Sequence, residues 1–252
     1  MSKEIVLKTL ASGEEIERRT RVASLFRDCP VPDNEVLANA GIFQKRQELT
    51  KSLFFRELYQ HILGVHGVIM EFGVRWGQNM VTLNNLRGIL EPYNHNRKII
   101  GFDTFEGFPS VNKKDGGHAS IQKGALAVTE GYENYLQELL DFHEKECPLS
   151  HIRKNFLRKG DAVVELKKYL EEHPETIIAF AWFDFDIYEP TRKCLELIRP
   201  HLVKGSVLGF DELNDPGFPG ETLALKEVFG LNEVKLRRNA YSGMQSYFIY
   251  GE

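Results

Sequence analysis

The chain has 252 residues, of which 42% are apolar and 27% charged, with a formal net charge of −4. This length and composition predict a globular protein of one large domain or two small ones, and the acidic balance argues against nucleic acid as a partner. Because Cys29, Cys147 and Cys194 form no CxxC pair and no stretch reaches the ~20 apolar residues of a membrane span, we predict a cytoplasmic protein without disulfide scaffold, cysteine-rich zinc site or membrane partner.

Helical spacing of apolar residues dominates the sequence before residue 65. Val22, Leu25 and Phe26 form a short i, i+3, i+4 set in one stretch. A longer stripe with the same spacing predicts a helix that packs against a core, and it contains Phe54, Phe55, Leu58, Tyr59, Ile62 and Leu63. We therefore predict an N-terminal helical cap over residues 1–65 and a second unit over residues 66–252.

Short apolar runs alternate with amphipathic stretches after residue 65. Five runs predict strands, at Val68–Phe72, Ile99–Phe102, Asn155–Leu157, Ile177–Phe183 and Ser206–Phe210. Four stretches predict the helices between and after them, with apolar residues spanning Met80–Leu90, Tyr135–Leu140, Val163–Leu170 and Leu195–Ile198. This alternation predicts an α/β protein with a parallel sheet covered by helices on both faces. Two final strands, Val234–Leu236 and Ser246–Tyr250, predict an antiparallel addition to that sheet.

Glycine and acidic residues follow the first three predicted strands, at the edge where open α/β sheets bind ligands. Glu71 lies near the end of the first strand and Gly73 and Gly77 follow it, where glycine allows close approach of a ligand but also an ordinary turn. Asp103 follows the second strand and could accept hydrogen bonds from a ribose or cap a loop. Asp161 precedes a predicted helix and could cap that helix or face an adenine.

Four carboxylates follow the next two strands, with Asp184 and Asp186 after the fourth and Asp211 and Glu212 after the fifth. Carboxylates brought together at one edge of a sheet repel one another unless a positive charge lies among them. A divalent cation with hard oxygen ligands is the interpretation we favour. Neighbouring lysine or arginine side chains are the alternative.

At this point the chain resembles class I S-adenosylmethionine-dependent methyltransferases, which carry E/D-x-G-x-x-x-G after strand 1 and an acidic residue after strand 2. Three segments are similar more narrowly to the macrocin and noviose sugar O-methyltransferase family: Val68–Gly77, Gly101–Pro109 and Asp184–Glu189. The string FDTFEGFP is the most specific of these matches. The resemblance implies a Rossmann-like fold with a mostly parallel seven-stranded sheet, one antiparallel strand and helices on both faces.

The same resemblance implies Mg²⁺-dependent transfer of a methyl group from S-adenosylmethionine to a hydroxyl of a small molecule, typically a sugar or glycosylated natural product. Asp184, Asp211 and Glu212 would be metal ligands and Asp186 the general base, although Glu212 stands where the family usually has aspartate. The cofactor-contacting residues implied are Glu71, Gly73, Gly77, Asn79, Asp103, Thr104, Asp161, Ala162 and Asp184. A homodimer or higher homo-oligomer is compatible with this interpretation.

A stretch with little periodicity, residues 110–130, predicts a long loop that could be a lid over the acceptor or a surface excursion. Two alternatives keep the same fold. One is different chemistry, such as metal-independent N-methylation or hydroxylation, although no two-histidine, one-carboxylate iron site is evident. The other is a nucleoside-binding module without catalysis. A dehydrogenase is disfavoured because no GxGxxG follows the first strand.

Overall fold

The computed structural model describes residues 11–252 of the chain. Seven strands lie within these residues: β1 Val68–Phe72, β2 Ile99–Asp103, β3 Asn155–Lys159, β4 Ile178–Phe183, β5 Leu202–Phe210, β6 Arg237–Arg238 and β7 Ser246–Ile249. They form one sheet in the order β3-β2-β1-β4-β5-β7-β6. Strands β1 to β5 pair in parallel, whereas β7 runs antiparallel to both β5 and β6. The predicted mostly parallel sheet with one antiparallel strand is therefore confirmed.

Helices cover both faces of this sheet. The α-helices within residues 11–252 are α1 Gly13–Arg27, α2 Asp33–Val36, α3 Arg46–Ile62, α4 Gln78–Leu90, α5 Tyr132–Lys145, α6 Ala162–Glu172, α7 Tyr188–Ile198 and α8 Gly220–Val228. Helices α3, α4 and α5 contribute to one hydrophobic core, and α6, α7 and α8 contribute to the other. The central strands β1, β2 and β4 are consequently buried on both sides, as is usual for a parallel sheet.

A row of phenylalanine rings crosses the sheet near its carboxyl edge. Phe72, at the end of β1, stacks between Phe102 and Phe183 with ring centroids 5.2 and 4.7 Å away. Phe183, at the end of β4, continues the row to Phe210 at 5.4 Å. These rings are fully buried. The side chains that follow the strands therefore rest on a closely packed floor, which limits their movement.

Helix α3 belongs to the core of the sheet, and α1 does not. Most of the predicted apolar stripe of α3 is buried, from Phe54 to Ile62, while Leu63 lies past the helix end and stays 43% exposed. Helix α1 has no buried residue, and its predicted apolar set is half-buried or exposed. The division at residue 65 stays a prediction, and residues 1–10 of the predicted cap lie outside the described residues.

The structure differs from the predicted elements mainly near the C-terminus. The strand predicted at Val234–Leu236 is wrong, because pairing with β7 begins only at Arg237, opposite Tyr247. Val234 instead packs against the core formed with α6, α7 and α8. Helix α8 has no counterpart among the predicted elements, since its first residue follows a segment rich in proline and glycine.

The structure also bears on the predictions about disulfides and membrane spans. The three cysteines are free, and Cys194 is buried in the core. No helix between residues 11 and 252 combines the length and the hydropathy that crossing a membrane requires. The cellular location of the protein stays a prediction.

Candidate active site

A cavity of about 330 Å³ opens at the carboxyl edge of the sheet. Segments that follow β1, β2, β3, β4 and β5 all contribute to its wall. The predicted site residues that line it are Gly73, Asn79, Asp103, Thr104, Asp161, Ala162, Asp184, Asp186, Asp211 and Glu212. Glu71 and Gly77 are not among the residues that line it. The structure therefore brings most of the predicted cofactor residues together with the predicted metal ligands in one cavity.

At the end of β1, Glu71 is a fully buried carboxylate that is only half satisfied. Its Oε1 accepts a hydrogen bond from Asn79 Nδ2 at 2.9 Å, whereas its Oε2 has no hydrogen-bond partner among residues 11–252. Burial raises the pKa of Glu71 well above its usual value. An unpaired buried acceptor is costly, so this oxygen is suited to a ligand that brings a donor.

The turn after Glu71 depends on a glycine. Gly73 has a φ of +96°, and a Cβ added there would lie 2.1 Å from the backbone oxygen of Asp184. Only glycine permits this approach between the end of β1 and the end of β4. The turn after β1, which is predicted to contact the cofactor, therefore lies directly beside Asp184.

Asp103, the last residue of β2, and Asp161, which follows β3, both accept hydrogen bonds from backbone N–H groups. Asp103 Oδ2 accepts from the Arg75 amide at 2.7 Å, and its Oδ1 accepts from the Phe105 amide at 2.6 Å. Asp161 Oδ1 accepts from the amides of Val163 and Val164 at 3.0 and 3.1 Å. The helix-capping interpretation of Asp161 is therefore confirmed. Contact of Asp103 with a ribose stays a prediction.

After β4 and β5, two of the predicted carboxylates converge on a lysine that the sequence analysis missed. Lys51 of α3 places its Nζ 3.4 Å from Asp184 Oδ2 and 3.2 Å from Asp211 Oδ1. Burial would lower the pKa of Lys51, but the two carboxylates outweigh burial and raise it above its usual value. Burial and the nearby Asp211 raise the pKa of Asp184 to about 7 despite this lysine.

The remaining carboxylates form a second group around Glu221 of α8. Glu221 is fully buried, and its Oε1 accepts a hydrogen bond from the Phe185 amide at 3.0 Å. Asp186 is held with a φ of +61°, and burial raises its pKa. Burial, followed by the charge of Asp186, raises the pKa of Glu212 to about 11. This raised pKa reflects the cost of placing a second negative charge beside Asp186 in a poorly solvated site.

Both missed residues, Lys51 and Glu221, carry weak signals in the sequence. Lys51 lies three and four residues before Phe54 and Phe55, so it shares the buried face of α3. Glu221 directly follows a Phe-Pro-Gly turn that begins an unpredicted helix. Without the fold, neither residue could be distinguished from an ordinary charged residue on the surface.

Comparison with known proteins decides the family. No family model matches the chain, and a search of curated proteins also finds no match. Among solved structures, the calicheamicin methyltransferase CalS11 is 43% identical with a TM-score of 0.94, covering 97% of this chain and 95% of that one. This chain belongs to the class I S-adenosylmethionine-dependent O-methyltransferases.

Two further solved structures are similar to this methyltransferase. The apo structure of CalS11, a TDP-rhamnose 3'-O-methyltransferase of calicheamicin biosynthesis, is 40% identical with a TM-score of 0.85, covering 97% of each chain. The O-methyltransferase NovP is 19% identical over 79% of each chain with a TM-score of 0.58, and this likeness shows the fold alone.

The chemistry of the acidic residues in this methyltransferase fits a divalent cation, although their arrangement does not form a finished site. No group of three or more His, Cys, Asp or Glu side chains within residues 11–252 is arranged to hold a metal ion. Asp184 and Asp211 nevertheless converge on one cation, the Lys51 ammonium, and Glu212 Oε2 is buried without a hydrogen-bond partner. Hard carboxylate oxygens of this kind are the ligands that Mg²⁺ prefers.

The predicted loop forms a wall of the same cavity. Residues 110–130 are irregular apart from a short 3₁₀ turn at Lys113–Asp115, and Ser120 and Leu126 line the cavity. Asp115 is buried and its Oδ1 accepts from the Tyr188 amide at 2.7 Å, which ties the loop to the start of α7. The His118 ring lies 4.7 Å from that of Phe218, so the loop also contacts the segment before α8. A lid function stays a prediction.

Proposed function

We propose that this methyltransferase methylates a hydroxyl of a sugar, either nucleotide-linked or attached to a natural product. The observation that carries the proposal is the group of buried and half-buried carboxylates after β4 and β5, in the cavity that also contains the residues expected to contact the cofactor. The similarity to CalS11 supports a sugar acceptor, and a TDP-linked deoxysugar is the first acceptor to test.

The residues after β1, β2 and β3 would hold S-adenosylmethionine. Glu71 Oε2 has no donor among residues 11–252, which suits the ammonium of the methionine portion. Asp103 would face the ribose, and Asp161 with Ala162 would lie beside the adenine at the start of α6. Gly73 and Gly77 would let the methionine portion approach the backbone.

The residues after β4 and β5 would carry out the chemistry. S-adenosylmethionine supplies an electrophilic methyl group, and a divalent cation held by Asp184, Asp211 and Glu212 would make a nearby hydroxyl more acidic. Asp186 lines the cavity as a buried carboxylate and would accept the hydroxyl proton. Bond formation from that oxygen to the methyl carbon would accompany cleavage of the carbon–sulfur bond, which would leave S-adenosylhomocysteine.

The walls of the cavity would align the two reactants and exclude water. Ser120 and Leu126 from the loop and Phe218 from the segment before α8 lie around the carboxylates. Holding the hydroxyl in line with the methyl group lowers the barrier by removing the entropy cost of bringing the two together. These residues are also the ones expected to select the acceptor.

A direct assay tests this proposal. The purified protein would be incubated with S-adenosylmethionine, Mg²⁺ and either TDP-rhamnose or a free deoxysugar, and products would be identified by mass spectrometry and NMR. We expect a singly O-methylated sugar and loss of turnover with EDTA. Absence of methylation on every hydroxylated sugar would overturn the acceptor class. Undiminished turnover in EDTA would favour a metal-independent enzyme. In such an enzyme the Lys51 ammonium would be the cation that compensates Asp184 and Asp211.

A further inference from the structure

We infer that Lys51 is a resident cation that stands in the position of the divalent ion and competes with it for Asp184 and Asp211. This inference rests on the proposed metal requirement. Its basis is the convergence of two carboxylates on the Lys51 ammonium, at 3.4 and 3.2 Å, in a cluster where three further acids lie nearby.

Lys51 is held in this position by the packing of α3. The next turn of the helix buries Phe54 and Phe55, whose rings contact Trp182 of β4 at centroid distances of 6.2 and 4.8 Å. The Lys51 ammonium itself lies 5.8 Å from the Trp182 ring centroid. The start of the side chain is thus fixed by the core, and its end reaches the carboxylates across the cavity.

A divalent ion and the ammonium cannot share this place. The ammonium lies beside Asp184 Oδ2 and Asp211 Oδ1, and a divalent ion bound by the same two carboxylates would lie a few ångströms from it, where positive charges in a partly buried site repel strongly. Asp211 Oδ1 also accepts a hydrogen bond from Gln245 Nε2 at 3.2 Å, but that donor is neutral and adds no charge. Entry of the divalent ion therefore requires the ammonium to leave.

The structure provides a place for the displaced side chain. A second cavity, of about 420 Å³, lies between the start of α3 and the turn before β7, and Lys51 lines both cavities. Other residues around it are Arg46, Gln47, Thr50, Gln78, Tyr241 and Ser242. Because lysine has a flexible four-carbon side chain, we expect rotation about its own bonds to carry the ammonium into this cavity.

The competition predicts a measurable effect of removing the lysine. Binding of Mn²⁺, used as a spectroscopic probe in place of Mg²⁺, would be followed by electron paramagnetic resonance in the full-length protein. We expect Lys51→Met to bind Mn²⁺ about tenfold or more tightly than the unmodified protein. Lys51→Arg retains the charge and should bind Mn²⁺ weakly, as the unmodified protein does.

Two controls separate competition from a general loss of charge or fold. Lys168→Met removes a lysine that also pairs with a carboxylate, Glu165 at 2.6 Å on α6, and should leave Mn²⁺ affinity unchanged. If Lys51→Met does not fold, Lys51→Gln expressed and purified with Mn²⁺ replaces it. Thermal unfolding supplies a second readout, since Lys51→Met should melt at a lower temperature without metal and recover more on addition of Mn²⁺.

The outcomes distinguish this inference from the proposed function. Equal or weaker Mn²⁺ binding by Lys51→Met, with Mg²⁺-dependent sugar methylation intact, overturns the competition and leaves the proposed function in place. Mn²⁺ binding by neither protein overturns the competition and the metal requirement together. Tighter binding by Lys51→Met supports the competition even where the assays find no sugar that is methylated.

Discussion

Charged side chains are buried at both ends of the sheet, but the two ends differ in whether those charges are paired. Before the strands, Arg97 pairs with Glu91 at 2.8 Å and donates to the backbone oxygens of Ile62, Val65 and Gly67. After the strands, by contrast, Glu71 and Glu212 each have a buried oxygen without a donor among residues 11–252. The buried charge of Arg97 therefore has partners within the protein, whereas one oxygen of Glu71 and one of Glu212 do not among these residues.

A second network before the strands has the same complete pairing. Glu144 of α5 pairs with Arg87 at 3.1 Å and with Lys154 at 2.6 Å, and it also accepts a hydrogen bond from Asn155. Buried charges that are matched in this way leave no capacity for a ligand, and removal of one partner destabilises the fold. Unmatched buried charge, rather than buried charge itself, distinguishes the edge of the sheet that carries the candidate active site.

The largest expected effect is on turnover and tests the unmatched end. Asp186→Asn keeps the shape of the side chain but cannot accept a proton, so we expect methyl transfer to fall about 10²–10⁴-fold. Binding of S-adenosylhomocysteine, measured by calorimetry, should change little. The control is Asp141→Asn on the exposed face of α5, with normal turnover expected. A near-normal rate for Asp186→Asn would remove this residue from the mechanism.

At the matched end we expect an effect on stability instead. Glu144→Gln leaves Arg87 and Lys154 buried without their counter-charge, which should lower the free energy of unfolding by about 3–5 kcal/mol. Urea denaturation followed by circular dichroism measures this loss. Glu171→Gln, at an exposed position, serves as the control. A specific effect on turnover in the folded Glu144→Gln protein would contradict the division between the two ends.

Asp184 should make metal-free protein less stable as pH rises. Because burial and Asp211 raise its pKa from 3.8 to about 7 in the folded state, the folded protein binds its proton more tightly than the unfolded chain does. The contribution of this group to stability is complete below pH 4 and declines between about pH 4 and 7. Asp184→Asn cannot ionise, so in EDTA at pH 8 we expect it to be more stable than the unmodified protein by roughly 1–3 kcal/mol.

Thermal melting across this pH range, with EDTA and with Mg²⁺, measures the effect. The pH-dependent loss should shrink when Mg²⁺ is present, since the cation favours the ionised carboxylate. An Asp184→Asn protein that is less stable than the unmodified protein at pH 8 in EDTA would show that the pairing with Lys51 outweighs the cost of burial.

The smallest expected effect concerns the unpaired oxygen of Glu71. Glu71→Gln removes the charge that would attract the ammonium of the cofactor, so affinity for S-adenosylhomocysteine should fall about tenfold. Methylthioadenosine lacks the amino acid portion, and its affinity should stay the same. Equal losses for both ligands in calorimetry would assign Glu71 to the shape of the site rather than to the ammonium.

Much of the fold could be predicted because its signals are local. Runs such as Val68–Phe72 and the apolar stripe of α3 follow the repeat of the strand or helix they form. The placement of Asp103, Asp184 and Asp211 at one edge then followed from the rule that parallel strands present their carboxyl ends together. Helix α8 and the start of β6 were missed, because a proline-rich start and a two-residue strand leave little local pattern.

Local patterns in the sequence are enough to predict the order of the elements, and the parallel arrangement of the strands then places the acids at one edge. Which of those acids are compensated depends instead on contacts between distant segments. Lys51 reaches Asp184 across 133 positions of sequence, and Glu221 reaches Phe185 across 36. Such pairings depend on how α3 and α8 pack against the sheet, and packing between distant segments sets the charge of the site.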